Sequence, residues 1–520
     1  MLIHRLKSHT RVKQAIKALT LAVALNGVMV IPALANENQK ETTYPIKHVV
    51  VIFQENVSFD HYFATYPNAV NPRGEPDFKP SQKTPSVNGI PAFLMTNNPN
   101  LSNPFRLDRS QAVTCDQGHD YTQEQTAYHS GILDQFIQST DVATCNPQEP
   151  NGVVNPGVVM GYFDGNTVTG LWNYAQNFAM SDNHFSTSYG PSTPGALNLI
   201  SGQTHGVAVT TGNTNSDLES DSVIGDPQPY YDECSTRETV GMSSSNKNIG
   251  DLLNAQKITW GFFQGGFRPT AYDKTGKAIC GASHTGSNGI PKGDYIPHHE
   301  PFQYYSSTSN PHHNPPSAVT SIGQQDQANH QYDIADFWTA AISHNIPAVS
   351  FLKAPGYLDG HAGYSDPLAE QGYLVNTINQ LQSLPDWKNM LVVIAYDDSD
   401  GWYDHVMPPI VNQSNAPSDT LTGVKSCGIA QPGAYEGRCG YGPRQPLLLI
   451  SPYAKKNFVD HSVTDLTSIL RFIEDNWNLG RIGDQSLDVA AGSLENMLDF
   501  EQFRGEPLIL DPSTGQRVNQ

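Results

Sequence analysis

The chain has 520 residues, 38% hydrophobic and 15% charged, with 50 acidic against 30 basic side chains and a formal net charge of −20. That hydrophobic content suffices for a large core and excludes a disordered chain, while the acidic balance makes nucleic acid and anionic membrane surfaces poor partners. The length is great for one domain but within reach of a doubly wound enzyme carrying long ordered insertions, and no repeat period is visible.

The first 35 residues read as a secretory signal: Arg5, Lys7, Arg11, Lys13 and Lys17 precede an apolar run that ends at Ala33-Leu34-Ala35. Asn26, Gly27 and Pro32 interrupt that run, which argues against a retained membrane anchor. Cleavage after Ala35 removes five positive charges, takes the net charge from −20 to −25, and leaves residues 36–520 as an exported catalytic domain, in the periplasm or secreted. Export gives meaning to the six cysteines, Cys115, Cys145, Cys234, Cys280, Cys427 and Cys439. No C-x-x-C pair occurs, and the simplest pairing joins neighbours in sequence, three bridges each stapling one insertion.

Ile46–Phe53 (I-K-H-V-V-V-I-F) reads as a buried strand and is followed at once by Glu55-Asn56. Asn97–Asp108 and Gly281–Gln327, rich in Asn, Pro, Ser, Gly and His, read as loops. Between them Ile249–Gln264 reads as a helix feeding a strand. Ile334, Phe337, Trp338, Ala341 and Ile342 share the spacing of one helical face, a strand follows at Ala348–Leu352, and Leu374, Ile378 and Leu381 mark another helix. The run Met390–Ala395 (M-L-V-V-I-A) is a second buried strand, and Asp397-Asp398 follow it. The last clear helix starts at Leu466, with Thr464 as its expected N-cap and Gly480 just past its end. This alternation predicts an α/β sheet, and ligands of open α/β sheets bind beyond the carboxyl ends of the strands. Carboxylates crowded at that edge repel one another unless a cation joins them.

Tyr189–Ile200 (Y-G-P-S-T-P-G-A-L-N-L-I) reads as a loop turning into a helix near Pro194. Ser192 or Thr193 at that point is in most such sequences only an N-cap. A helix N-terminus also aims unpaired N–H groups at an anion, so a serine there is placed to attack a phosphorus atom whose oxygens those groups hold.

Five segments carry a resemblance to a known family: P-I-K-H-V-V-V-I-F-Q-E-N from Pro45, G-P-S-T-P-G-A-L-N-L from Gly190, D-Y-I-P-H-H-E-P-F from Asp294, A-P-G-Y-L-D-G-H-A-G-Y-S from Ala354 and Y-D-D-S-D-G from Tyr396. In that order they resemble the secreted acid phosphatase and phospholipase C type phosphoesterases of the alkaline-phosphatase-like superfamily, over nearly the whole mature chain. The chain is most similar to the short acid phosphatase members. The resemblance implies an alkaline-phosphatase-like fold, a central and mostly parallel sheet with helices on both faces and long loop insertions. It also implies that Glu55, Asn56, Asp397 and Asp398 hold one divalent metal ion, with Ser192 as a further ligand and as the nucleophile of a phosphoserine pathway. An all-oxygen set suits Mg²⁺, Ca²⁺ or Mn²⁺, and carboxylates also hold Zn²⁺.

His119, His298, His299 and His361 fall in segments matching the family's active-site histidines. A histidinium binds phosphate oxygens and protonates a leaving alkoxide, which predicts a rate optimum below neutrality. Asp400, Asp404 and His405 extend the acidic loop and are the weaker candidate for a second metal position. The N-x-S/T sequons at Asn56 and Asn412 read as coincidental, Asn56 being better explained as a ligand. A sulfatase needs an arginine where this chain has Ala196. The expected activity is a broad phosphomonoesterase. The alternative is a phospholipase C acting on phosphatidylcholine-type lipids, for which Phe262, Phe263, Phe302, Tyr304 and Tyr305 would supply an apolar groove or else pack in the core. A distant alternative is a secreted binding protein with a structural metal, in which Ser192 is only a cap.

Overall fold

Runs of β-branched and aliphatic residues build the centre of the molecule, and several are buried at every position, which requires cover on both faces of a sheet. The structure, a computed structural model, describes residues 41–141, 157–421 and 426–518. The strands of the main sheet are β1 (His48–Gln54), β2 (Ala179–Phe185), β3 (Trp260–Gln264), β4 (Gln331–Asp333), β5 (Val349–Lys353), β6 (Met390–Tyr396), β7 (Arg444–Ile450), β8 (Phe458–Asp460) and β9 (Thr464–Asp465). Their order is β4-β3-β5-β1-β6-β7-β2-β8, with β9 also on β2. β7 runs antiparallel to both neighbours and the other pairings are parallel, so the expected mostly parallel sheet is what forms.

The helices used below are α1 (Phe59–Phe63), α2 (Tyr121–Tyr128), α3 (Thr169–Asn177), α4 (Ser192–Ser201), α5 (Ile249–Ala255), α6 (Ile334–Ile342), α7 (Pro367–Ser383) and α8 (Leu466–Trp477). They pack in groups, α3 on α7 and α4 on both α8 and α5. The expected apolar stripe of α8, Leu466, Ile469, Leu470, Ile473 and Trp477, is buried, as are Leu374, Ile378 and Leu381 of α7. In α6 the face is shifted: Phe337, Ala340 and Ala341 are buried and Ile342 is 74% exposed. The cap of α8 is Asp465 rather than Thr464. Its carboxylate accepts from the Thr467 N–H at 3.2 Å while its own N–H donates to Ser468 Oγ, a reciprocal box, whereas Thr464 pairs in β9 with its hydroxyl 3.0 Å from His184 Nδ1.

The two stretches expected to be loops hold short pairings without a periodic signature, Phe105–Arg106 on Gly161–Tyr162 and the hairpin Ser283–Thr285 with Pro291–Gly293. Cys234–Cys280 and Cys427–Cys439 are bridged as neighbours in sequence. The Cys115–Cys145 pairing and the signal segment 1–35 lie outside the described residues, through Cys145 and residues 1–40. Among the described residues no helix is long and apolar enough to cross a membrane.

Candidate active site

The register of the central strands brings the two acidic clusters together. Gln54 pairs with Tyr396 across β1 and β6, so Glu55 and Asp397 leave adjacent parallel strands at the same level. The Asn56 N–H donates to Asp397 Oδ1 at 2.9 Å, and the Asp398 N–H reaches the same oxygen at 2.8 Å. Asn56 takes a left-handed backbone conformation, φ 60°, which asparagine tolerates better than most residues and which turns the chain immediately after the strand.

β2 is parallel to β1 and β6, and its carboxyl end therefore delivers the loop into α4 at the same sheet edge. Ser192 is the first residue of α4 and the N-cap is Pro191, so neither Ser192 nor Thr193 serves as the cap. The Ser192 hydroxyl instead turns into the acidic cluster, 3.1 Å from Asp398 Oδ2 and 3.3 Å from Glu55 Oε2. The helix lies so close to the second cluster that a Cβ on Gly195 would overlap the Asp397 carbonyl, backbone against backbone. Gly195→Ala is expected to push Ser192 out of register and lower kcat/KM by on the order of 10²-fold, because displacements near an ångström have that effect on reacting groups. An unchanged kcat/KM would show that the close approach has no part in setting Ser192.

The four histidines converge on the same edge from three segments, His298 and His299 being consecutive in the chain. His299 Nδ1 is 3.2 Å from Glu55 Oε1, and the His298 and His299 rings meet edge to face at 4.5 Å. His361 Nε2 is 3.3 Å from Asn56 Nδ2, and its Nδ1 is held 2.6 Å from the Ala362 carbonyl. His119 Nδ1 is 3.4 Å from Asp400 Oδ1 and 2.8 Å from the Gln117 carbonyl. Burial lowers His298 to about 4, and burial, joined by neighbouring positive groups, holds His299 and His361 well below the ordinary histidine value. Burial also opposes charge on His119, but Asp398, Asp116 and Asp400 outweigh it and hold its pKa well above that value. The charged form expected of all four histidines is thus kept by His119 alone among them.

Lys353, Asp359, Asp226 and Glu124 at this edge have no sequence signal of their own, and Asp400 comes from the acidic loop already noted. Lys353, the last residue of β5, places its ammonium on Glu55 Oε1. Asp359 follows in the next loop, Asp400 accepts from Asn56 Nδ2 at 2.9 Å, and Asp226 accepts from the Thr193 N–H at 2.8 Å. Glu124 of α2 takes the Ser399 hydroxyl at 2.5 Å and the Gly190 N–H at 3.0 Å, bracing both site loops from behind.

These residues fit a bound cation. Burial first, and the Asp397 charge second, push Glu55 and Asp398 well above the usual carboxylate range, so the site holds more negative charge than its neighbours offset. Asp397 Oδ2 and Asn56 Oδ1 are buried without a hydrogen-bond partner, because the Asn56 amide nitrogen is committed to Asp400. Two orphaned oxygens beside paired carboxylates and a hydroxyl form a hard, all-oxygen donor set.

Asp404 and His405 do not join this centre. Arg444, fully buried in β7, donates to Asp404 Oδ2 and to Asp60 Oδ1 of α1, and His405 Nδ1 lies 2.6 Å from Asp60 Oδ2. A guanidinium already neutralises the position where a second metal was weighed, and Asp400 belongs to the first centre. The aromatic groove does not form either. Phe262 and Phe263 lie in β3, and they and Phe302, Tyr304 and Tyr305 are all buried in the main core.

Residues 46–480 match the phosphoesterase family. Among curated proteins the chain is 22% identical to the non-hemolytic phospholipase C of Pseudomonas aeruginosa, over 91% of this chain and 60% of that protein. It is 22% identical to phospholipase C B of Mycobacterium tuberculosis, over 82% and 72%, and 25% identical to non-specific phospholipase C6 of Arabidopsis thaliana, over 80% and 63%. The chain spans about three fifths of the length of the first of these relatives. Solved structures similar to it include murine ectonucleotide pyrophosphatase/phosphodiesterase 5, at 12% identity and TM-score 0.30 over 64% of this chain and 95% of that one. The match over residues 46–480 contains every residue of the centre just described, and the chain belongs to the phosphoesterase family.

Proposed function

We propose that the protein is an exported, metal-dependent phosphoesterase in which Ser192 is the nucleophile. The observation that carries this is the Ser192 hydroxyl at the start of α4, within hydrogen-bond reach of both Glu55 and Asp398. A divalent cation held by Glu55, Asn56, Asp397, Asp398 and Ser192 would supply charge that eases loss of the serine proton and offsets charge on the phosphoryl oxygens. Ser192 Oγ attacks phosphorus as the bond to the leaving alcohol breaks, its own proton passing toward Asp398 Oδ2. His119 protonates the departing alkoxide, and water then displaces phosphate from the phosphoserine in a second in-line step. His298, His299 and His361, neutral at this edge, orient the phosphoryl oxygens.

His119 therefore sets the alkaline limb of the rate profile. Asp116 and Asp400 lie beside its imidazole and favour the charged acid form, so the rate falls with rising pH once His119 loses its proton. His119→Gln is expected to remove this limb from a kcat/KM profile measured against pH. A limb that persists in the variant assigns the acid to another group.

Of the two ester classes, the phosphomonoesterase reading draws on the resemblance to the short acid phosphatases. The phospholipase C reading draws on the relatives, which are phospholipases C along most of this chain, and fits at least as well. Purified mature protein should be offered an aryl phosphomonoester and phosphatidylcholine side by side, with Ser192→Ala as the blank. Faster release from the monoester establishes a phosphatase, and faster release of phosphocholine a lipase. Silence on both leaves the metal-stabilised binding protein.

A further inference from the structure

Glu55 divides its two oxygens between different partners. Oε2 accepts from Ser192 at 3.3 Å, on the side of Asp397 and Asp398. Oε1 faces the other way, 3.2 Å from His299 Nδ1, and takes the ammonium of Lys353. On that second side Glu55, His299 and Asp359 each present a ligand atom, all within 4.8 Å of one another, a spacing that would suit a metal ion. Lys353 reaches into that group. It is 1% exposed, and the ring of Phe53 lies 4.7 Å from its Nζ.

A lysine is almost never buried unless paired, because removing an ammonium from water costs several kcal/mol. Here the pairing is with a group the proposed metal also needs. The carboxylates nearest it, Glu55, Asp359 and Asp397, are buried. The position of Lys353 at the carboxyl end of β5, beside β1, holds its Cα in register with Phe53, so the ammonium is supplied by the sheet and not by a mobile loop.

We infer that Lys353 is the resident second cation of this centre, a positioning residue that fixes Glu55 and excludes a second metal ion from the Glu55–His299–Asp359 side. The inference rests on the metal-dependent reading above and goes beyond it in naming the residue that keeps a second ion out. Replacing the ammonium by an apolar chain of similar length frees Oε1 of Glu55, Nδ1 of His299 and the Asp359 carboxylate to take a metal.

The test counts ions, not turnover, so that its failure is separate from failure of the Ser192 chemistry. Full-length mature protein is stripped with a chelator, equilibrated with Mn²⁺ or Zn²⁺ in high salt, and the metal bound per chain is read by elemental analysis. Wild type and Lys353→Arg are expected to hold one equivalent, and Lys353→Met two. Because the chain is acidic, weak surface binding is common to all three and cancels in the difference. A wild-type chain holding two equivalents overturns the proposal without recourse to any variant. So does a folded Lys353→Met, or Lys353→Gln where the methionine variant does not fold, that gains no metal over wild type.

Discussion

Ser192→Ala is expected to lower kcat for an aryl phosphomonoester by roughly 10⁴-fold or more, the scale on which loss of a nucleophile registers when positioning and charge stabilisation are left in place. The fold should survive. The lost hydroxyl donates to Glu55 and Asp398, and a single hydrogen bond to a charged group contributes about 1.5–3 kcal/mol. Thermal unfolding of the variant beside the wild type separates the two effects. Activity within tenfold of wild type in a folded variant would remove Ser192 from the chemistry and restore the binding-protein reading.

The second large effect is on stability. Arg444 is 0% exposed and donates from Nε and Nη2 to Asp404 Oδ2 at 3.1 Å, from Nη2 to Asp60 Oδ1 at 3.0 Å, and from Nη1 to the carbonyls of Asn88 and Asp182 at 2.7 and 2.8 Å. It also lies over the Phe59 ring at 4.2 Å. Removing one partner of a buried ion pair leaves the other uncompensated, and Arg444→Met is expected to cost about 3–5 kcal/mol in urea unfolding at neutral pH. The sign of its pH dependence follows from Asp60. Burial alone would raise that carboxyl, but His405 and Arg444 outweigh burial and hold it below its usual value, so in the wild type its contribution is present at neutral pH and fades as pH falls through the depressed value. Without the guanidinium Asp60 and Asp404 can accept protons, so the deficit of the variant should shrink as the medium is acidified. A deficit constant with pH would mean that Arg444 acts through packing on Phe59 rather than through charge.

What the sequence discloses of this site follows the range of each signal. Glu55-Asn56 and Asp397-Asp398 are legible because each directly follows a run whose apolar continuity marks a strand covered on both faces. Ser192 is legible as the start of a helix, though its capping role is not, since Pro191 takes the cap once Ser192 turns toward Asp398. Lys353 is invisible for the opposite reason: it closes an ordinary strand, and only the pairing of β5 with β1 discloses that its neighbour is Glu55, 298 residues away in sequence. Arg444 with Asp60, and Glu124 with Ser399, are likewise contacts between distant segments. For the aromatic residues the sequence leaves groove and core packing both open, and core packing is what forms. Adjacent positions such as Phe262 and Phe263 point to opposite faces of β3, and composition does not say that both faces are covered.

The register that sets Gln54 beside Tyr396 also fixes when the enzyme can first work. Its charged centre draws on residues at both ends of a span of more than three hundred positions, Glu55 and Ser192 from the first half of the chain and Asp398 from the second. A nascent chain halted between Ser192 and Asp397 therefore carries the nucleophile and Glu55 without the Asp397-Asp398 half of the centre. Pairing over such a separation is slow to form, so catalytic competence comes late and all at once, when β6 docks on β1. Under the proposed function, a chain that lacks β6 is expected to be inactive.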